Sequence, residues 1–230
     1  MPQIRALLAV LAVLSLPALS WGQRPQTPVI DSVSIDAQGN PVIAWHTQDT
    51  DGLDGFYIYR YLEEGDGIVG MNFYKIADIG DETVRFMQDT HTVYGSAPQP
   101  GQRPEQYGIA AYSVQTPDLK EEASDSIQLS IMSTPHRSVF LYPLGFDSCA
   151  SEVILRWKPY SPWRPCETRY EVYARENDQH FRLIGTRTCS EEADTTFRHK
   201  HVKAATQYTY FVRAENQNSG YTSSSNRQQT

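Results

Sequence analysis

Asp49-Thr50-Asp51-Gly52-Leu53-Asp54-Gly55 gathers three carboxylates within seven residues, a composition that could hold calcium. An EF-hand loop needs oxygen ligands at positions 1, 3 and 5 and a Glu at 12. Counting from Asp49, Asp51 holds position 3, but Leu53 falls at 5 and the cation Arg60 at 12. The stretch reads instead as a tight strand connection. His199 and His201, separated by one residue, would point the same way on an extended segment and could offer two imidazole ligands. No third ligand is near in sequence, and a solvated loop is expected. Gly65 to Gly70, Gly-Asp-Gly-Ile-Val-Gly, fits G-x-G-x-x-G. Dinucleotide binding requires that pattern to open a helix, whereas the Asn-Phe-Tyr-Lys-Ile that follows reads as a strand.

The loop from Lys158 to Tyr170, KPYSPWRPCETRY, carries Tyr160, Trp163 and Arg164 among three prolines. Aromatics on such a stiff loop could stack on a sugar ring or a partner's side chain. Alternatively, Trp163 folds over the end of a sandwich and caps its core, which the usual burial of large aromatics favours. The cysteines are Cys149, Cys166 and Cys189, with no C-x-x-C spacing. Pairing RYEVYARENDQHFRLIGT about a turn at Asn177–Gln179 brings Cys166 and Cys189 to one open end. A disulfide there closes a loop of about 23 residues and contributes about 2–4 kcal/mol; Cys149 is left over. There is no G-x-S-x-G, H-E-x-x-H, P-loop or Arg-Gly-Asp sequence. No catalytic residue, metal ligand or cofactor is therefore expected.

These residues are carried by a chain whose first residues, MPQIRALLAVLAVLSLPALSWGQ, have the layout of a secretory leader: Arg5, an apolar run from Ala6 to Leu16, then Pro17 and small residues. The run is shorter than the roughly 20 residues of a membrane span. Residues 1–22 are expected to be removed, which gives an exported protein in an oxidising compartment and no transmembrane segment. The formal charge of −7 leaves no basic stripe, so nucleic acid is a poor partner.

Beyond the leader the sequence breaks into short Val-, Ile-, Tyr-, Phe- and Thr-rich runs between Gly, Pro, Asp and Asn clusters, the pattern of an all-β sandwich. Strands are expected at 29–35, 42–46, 56–61, 73–79, 84–87, 106–114 and 126–132. A second set follows at 138–142, 153–157, 170–175, 181–186, 195–198, 208–215 and 222–226. The Pro and small polar residues of Met132 to His136 read as a linker, which sets one domain at 23–133 and another at 134–230. The two halves repeat each other. Each has a Trp near the end of its second strand (Trp45 in VIAWH, Trp157 in VILRWKPY) and then a Tyr-bearing strand (GFYIYR, RYEVYAR). A late strand opens on a Tyr in each half (Tyr107 in EQYGIAAYSV, Tyr208 in TQYTYFVRAEN).

In order and spacing this resembles the fibronectin type III domain, built twice, as in exported bacterial surface proteins, some of which carry type IX secretion sorting domains. The resemblance implies two immunoglobulin-like β-sandwiches, with Trp45 and Trp157 in the cores and Tyr107 and Tyr208 as tyrosine corners. It also implies a non-catalytic role in protein–protein contact or spacing at the cell surface. A carbohydrate-binding or accessory module, using Tyr160 and Trp163 on a glycan, is the second expectation. Aligning the copies pairs Phe56 with Tyr170, Ile58 with Val172 and Tyr59 with Tyr173. Phe56 and Ile58 then share the core face, and the alternating tyrosines Tyr57 and Tyr59 lie on the opposite face.

Overall fold

The computed structural model describes residues 24–61, 73–90, 104–115, 126–164, 167–188 and 195–230. The leader, the Gly65–Gly70 stretch, Cys166 and Cys189 lie outside the described residues. The first half forms β1 (Val29–Ile35), β2 (Pro41–His46), β3 (Gly55–Tyr61), β4 (Phe73–Ile79), β5 (Phe86–Gln88), β6 (Gln106–Gln115), β7 (Ser126–Leu129) and β8 (His136–Arg137). The second forms β9 (Gly145–Asp147), β10 (Glu152–Trp157), β11 (Thr168–Glu176), β12 (Arg182–Thr188), β13 (Thr195–His199), β14 (Tyr208–Asn216), β15 (Thr222–Ser224) and β16 (Gln228–Gln229).

The alternating pattern of these segments dictates two layers. β2 alternates buried and half-buried along its length, and β14 does the same from Tyr210 to Asn216. Each layer therefore has one apolar face to bury. In the first half a three-stranded sheet β1-β2-β5 faces a sheet ordered β4-β3-β6-β7, with β8 beside β6. In the second, β9-β10-β13 faces β12-β11-β14-β15, with β16 beside β14. Strand for strand, the second sandwich repeats the first. Even the irregularity recurs. The β3–β4 register slips between Ile58 and Tyr59, and the β11–β12 register slips between Val172 and Tyr173, the aligned positions. The extra residue is Ile76 in one copy and Ile184 in the other, and each packs on its core. The molecule is thus two tandem immunoglobulin-like sandwiches of fibronectin type III strand order.

Trp45 and Trp157 lie in the two cores, each within 6 Å of the first inward ring of the next strand: Trp45–Phe56 at 5.5 Å and Trp157–Tyr170 at 5.7 Å. Phe56, Ile58, Tyr170 and Val172 are fully buried. The outer faces diverge. Tyr57 packs on Tyr112 at 4.7 Å with the Lys75 ammonium 4.0 Å above its ring. Tyr173 stacks on Phe211 at 4.7 Å beneath the Arg213 guanidinium.

The expected strand at 138–142 does not form. Among these residues Leu141 makes a single bridge to Trp157, and the first strand of the second sandwich is β9, three residues further on. The backbone of Leu141 is satisfied by a side chain instead, since Asn226 accepts from its N–H at 2.8 Å and donates to its carbonyl at 3.0 Å. The segment Met132–His136, expected as a linker, runs into a short strand of the first sandwich: His136 and Arg137 lie opposite Tyr107 and Gln106.

Candidate functional site

The Lys158–Tyr170 loop is built to reach sideways. Pro159 and Pro162 restrict its backbone, a turn follows at Ser161–Pro162, and the Tyr160 N–H donates to the Tyr170 hydroxyl. This seats Tyr160 against Trp163, edge to face at 4.5 Å. Both rings are buried, Tyr160 at 3% and Trp163 at 8% exposure. What covers them is the first sandwich. The Tyr160 hydroxyl accepts from the Val33 N–H at 3.2 Å, and the Trp163 indole N–H donates to the Asp31 carbonyl at 3.1 Å. Burial pushes the Tyr160 hydroxyl well above its ordinary value, opposed by the contacts with Val33 and Ser223.

The partner strand explains the choice. β1 is an edge strand, and an edge strand leaves a row of backbone groups unpaired by its own sheet. The second sandwich supplies partners to this strand and to the turn after it. Ser223 donates to the Val33 carbonyl, the Ser224 N–H donates to Ser34 Oγ at 2.9 Å, and Arg227 donates to the Ala37 carbonyl at 2.8 Å. Asp31 sits in a β-bulge between Ile30 and Ser32. Its carboxylate is 2.7 Å from His46 Nδ1 and bonds the Tyr221 hydroxyl, whose pKa is raised first by the Asp31 charge and then by burial. The covalent crossing is short. Ser138 donates its N–H to the Glu105 carbonyl at 2.8 Å, and its Oγ accepts the Glu105 N–H at 3.0 Å. Val139, the next residue, is already in the second core. This leaves the joint no slack.

The stacking platform that the loop composition allowed is therefore not formed. Tyr160 and Trp163 turn inward to join the two sandwiches, because burying both rings and satisfying β1 outweighs leaving them in water. Arg164 stays exposed, with its carbonyl accepting from the Glu167 N–H at 3.0 Å. Residues of the joint that composition did not single out are Asp31, His46, Tyr221, Ser223 and Arg227. A trace of them was present: Asp31 and the serines of β1 break its apolar run, and Ser223–Ser225 are small enough for close backbone approach.

Tyr208 and Tyr107 occupy matching places and bond differently. The Tyr208 hydroxyl accepts the Lys203 N–H at 3.2 Å, five residues upstream, as a tyrosine corner does. The Tyr107 hydroxyl donates to Asp89 Oδ2 at 2.8 Å within a buried charge cluster. There Arg60 donates from Nε to Glu105 Oε2 at 3.0 Å and approaches Asp89 at 3.7 Å, all three side chains being at most 2% exposed. The inward alternation Phe56, Ile58, Arg60 was the available signal for it.

The other motifs serve the backbone. Asp49 accepts the Asp51 N–H at 3.0 Å and Asp54 accepts the Val114 N–H at 2.6 Å, while Leu53 turns into the core. His199 Nδ1 meets the Tyr210 hydroxyl at 2.9 Å, but His201 follows in a left-handed turn with φ 57°, so the two rings do not share one face of an extended strand. Among the described residues no group of three His, Cys, Asp or Glu side chains is placed to hold a metal ion. Cys149 is free and exposed on the β9–β10 turn.

No protein-family model matches the chain, and no curated protein sequence matches it. Among solved structures it is similar to the chicken CNTN1 FN1–FN3 domains, with 12% identity over 91% of this chain and 68% of that one and a TM-score of 0.32. It is also similar to the chicken interferon gamma receptor alpha chain, with 10% identity over 90% and 97% and a TM-score of 0.35. At such scores the likeness adds nothing to what the repeated strand order already states.

Proposed function

We propose that this chain is a non-catalytic exported protein whose two fibronectin type III-like sandwiches form a fixed-angle spacer that presents a protein-contact surface outside the cell. The observation that carries the reading is the joint. The second sandwich satisfies backbone groups of β1 at Asp31 and Val33 and bonds the Ser34 hydroxyl and the Ala37 carbonyl beside them, and a one-residue crossing at Ser138 ties the same two bodies. A flexible string of modules has no use for such a joint, since interdomain motion is the default when contacts are few. The secretory layout of the first 22 residues and the resemblance to modules of exported bacterial surface proteins support the extracellular placement.

The test is a spin-label distance measurement between exposed sites on the two sandwiches. The unmodified chain is expected to give one narrow distance distribution, and Trp163→Ala a broad one. Truncating a buried Trp costs about 3–5 kcal/mol of packing. A broad distribution in the unmodified chain would overturn the spacer reading.

A further inference from the structure

A cleft of about 110 Å³ opens at the joint, between the crossing and the Lys158–Pro162 part of the loop. Arg137, Phe140, Tyr142, Lys158, Pro159 and Pro162 line it. Phe140 and Tyr142 meet edge to face at 5.6 Å and 84°, each half-buried, so they offer ring surface to a visitor. Arg137 is held from behind: its Nε donates to Gln106 Oε1 at 2.9 Å. Among the described residues neither Arg137 nor Lys158 forms an ion pair, and no Asp or Glu lines the cleft beside them. Both are exposed. Two free cations thus share a rigid aromatic and proline surface on a chain of formal charge −7. The larger concavity, about 870 Å³ at the far end of the second sandwich, lacks this bias, for its Lys203 is already paired with Glu176 at 2.7 Å.

We infer that the cleft docks an acidic segment of a partner protein. A carboxylate pairs with Arg137 and Lys158, and an adjoining proline or aromatic residue lies on Phe140 and Tyr142. Charge complementarity selects the anion, and the volume admits a side chain or an extended turn rather than a helix. The inference rests on the spacer reading, because Arg137 belongs to the first sheet system and Lys158 to the second. Only a fixed angle keeps both on one cleft.

The probe is a fluorescein-labelled peptide of three Asp-Pro-Tyr repeats, with the Asn-Pro-Tyr peptide as its neutral counterpart, read by fluorescence anisotropy on the full chain. Saturable binding of the acidic peptide is expected. It should weaken by about 10-fold or more with the Asn peptide or in Arg137→Gln/Lys158→Gln, and should fall as salt rises. Lys75→Gln/Lys200→Gln removes the same charge elsewhere and should stay within about 2-fold of the unmodified chain. No saturable binding, or equal loss in both double variants, overturns the inference. So does binding of a sulfated oligosaccharide that depends on Arg137 and Lys158 while the peptide stays unbound. Spin-label distances in the same samples separate the two failures: a narrow distribution without peptide binding sinks the docking site alone, and a broad one sinks the spacer with it.

Discussion

Arg60 sits third on the inward face of β3, after Phe56 and Ile58, where its counterpart in the second sandwich is Ala174. A buried guanidinium is tolerable only because Glu105 and Asp89 surround it, and removing one partner strands the other charges. Arg60→Ala is therefore expected to destabilise the chain by about 3–5 kcal/mol in urea denaturation. Arg60→Ala/Glu105→Gln/Asp89→Asn, which removes the stranded charges as well, should recover part of the loss. His136, in β8 of the first sandwich, carries part of the pH dependence of stability. Burial holds its imidazole below the ordinary value of about 6.5, against smaller opposite effects of the Thr134 carbonyl and the Asp31 charge. The unfolded chain takes up the proton first as pH falls. The histidine's contribution to stability is thus complete above about pH 6.5 and is lost as pH drops toward the lower folded value. His199 is shifted in the same direction, also by burial. Thermal midpoints should fall across this window, and His136→Gln should flatten the slope while leaving the part due to His199.

At the scale of elements, the paired bulges in β4 and β12 tuck Ile76 and Ile184 into the cores and increase the local twist. Beside the second bulge, β12 runs close to Phe197 of the facing sheet. A Cβ on Gly185 would stand 2.3 Å from Phe197 Cε2, so this position tolerates no side chain without a shift of the ring. Gly185→Ala is expected to lower stability by about 1–3 kcal/mol in chemical denaturation. The aligned residue in the first sandwich is Ala77, which shows that the constraint belongs to Phe197 and not to the bulge itself. Strand positions followed from alternation across most of the chain. The failure at 138–142 has a specific cause: Val139 and Leu141 alternate like a strand, but the backbone partners of Ser138, Val139 and Leu141 are Glu105, Ser223 and Asn226. An apolar alternation reports which side is buried and is silent on what satisfies the backbone.

As a whole molecule the two sandwiches are coupled through β1, the loop at Tyr160–Trp163 and the serines of β15. Calorimetry of the intact chain should therefore show one cooperative transition, and Trp163→Ala should split it toward two. Two resolved transitions in the unmodified chain would place the coupling below what the joint requires. The repeat, most strand positions, the buried Trp45 and Trp157 and the shared core face of β3 and β11 were legible in the sequence, because each follows from short-range alternation and from one pattern occurring twice. The joint was not. Tyr160 and Trp163 on a proline-rich loop fit both a sugar platform and a buried contact by composition, with only the general burial of large aromatics favouring the second. Which one holds depends on whether the edge of β1, some 130 residues away in sequence, arrives with its Asp31 carbonyl and Val33 N–H unpaired. The sequence by itself determined two sandwiches. Tertiary structure alone decided where they touch, because backbone groups that β1 leaves open are satisfied by Tyr160, Trp163 and Ser223 of the other sandwich.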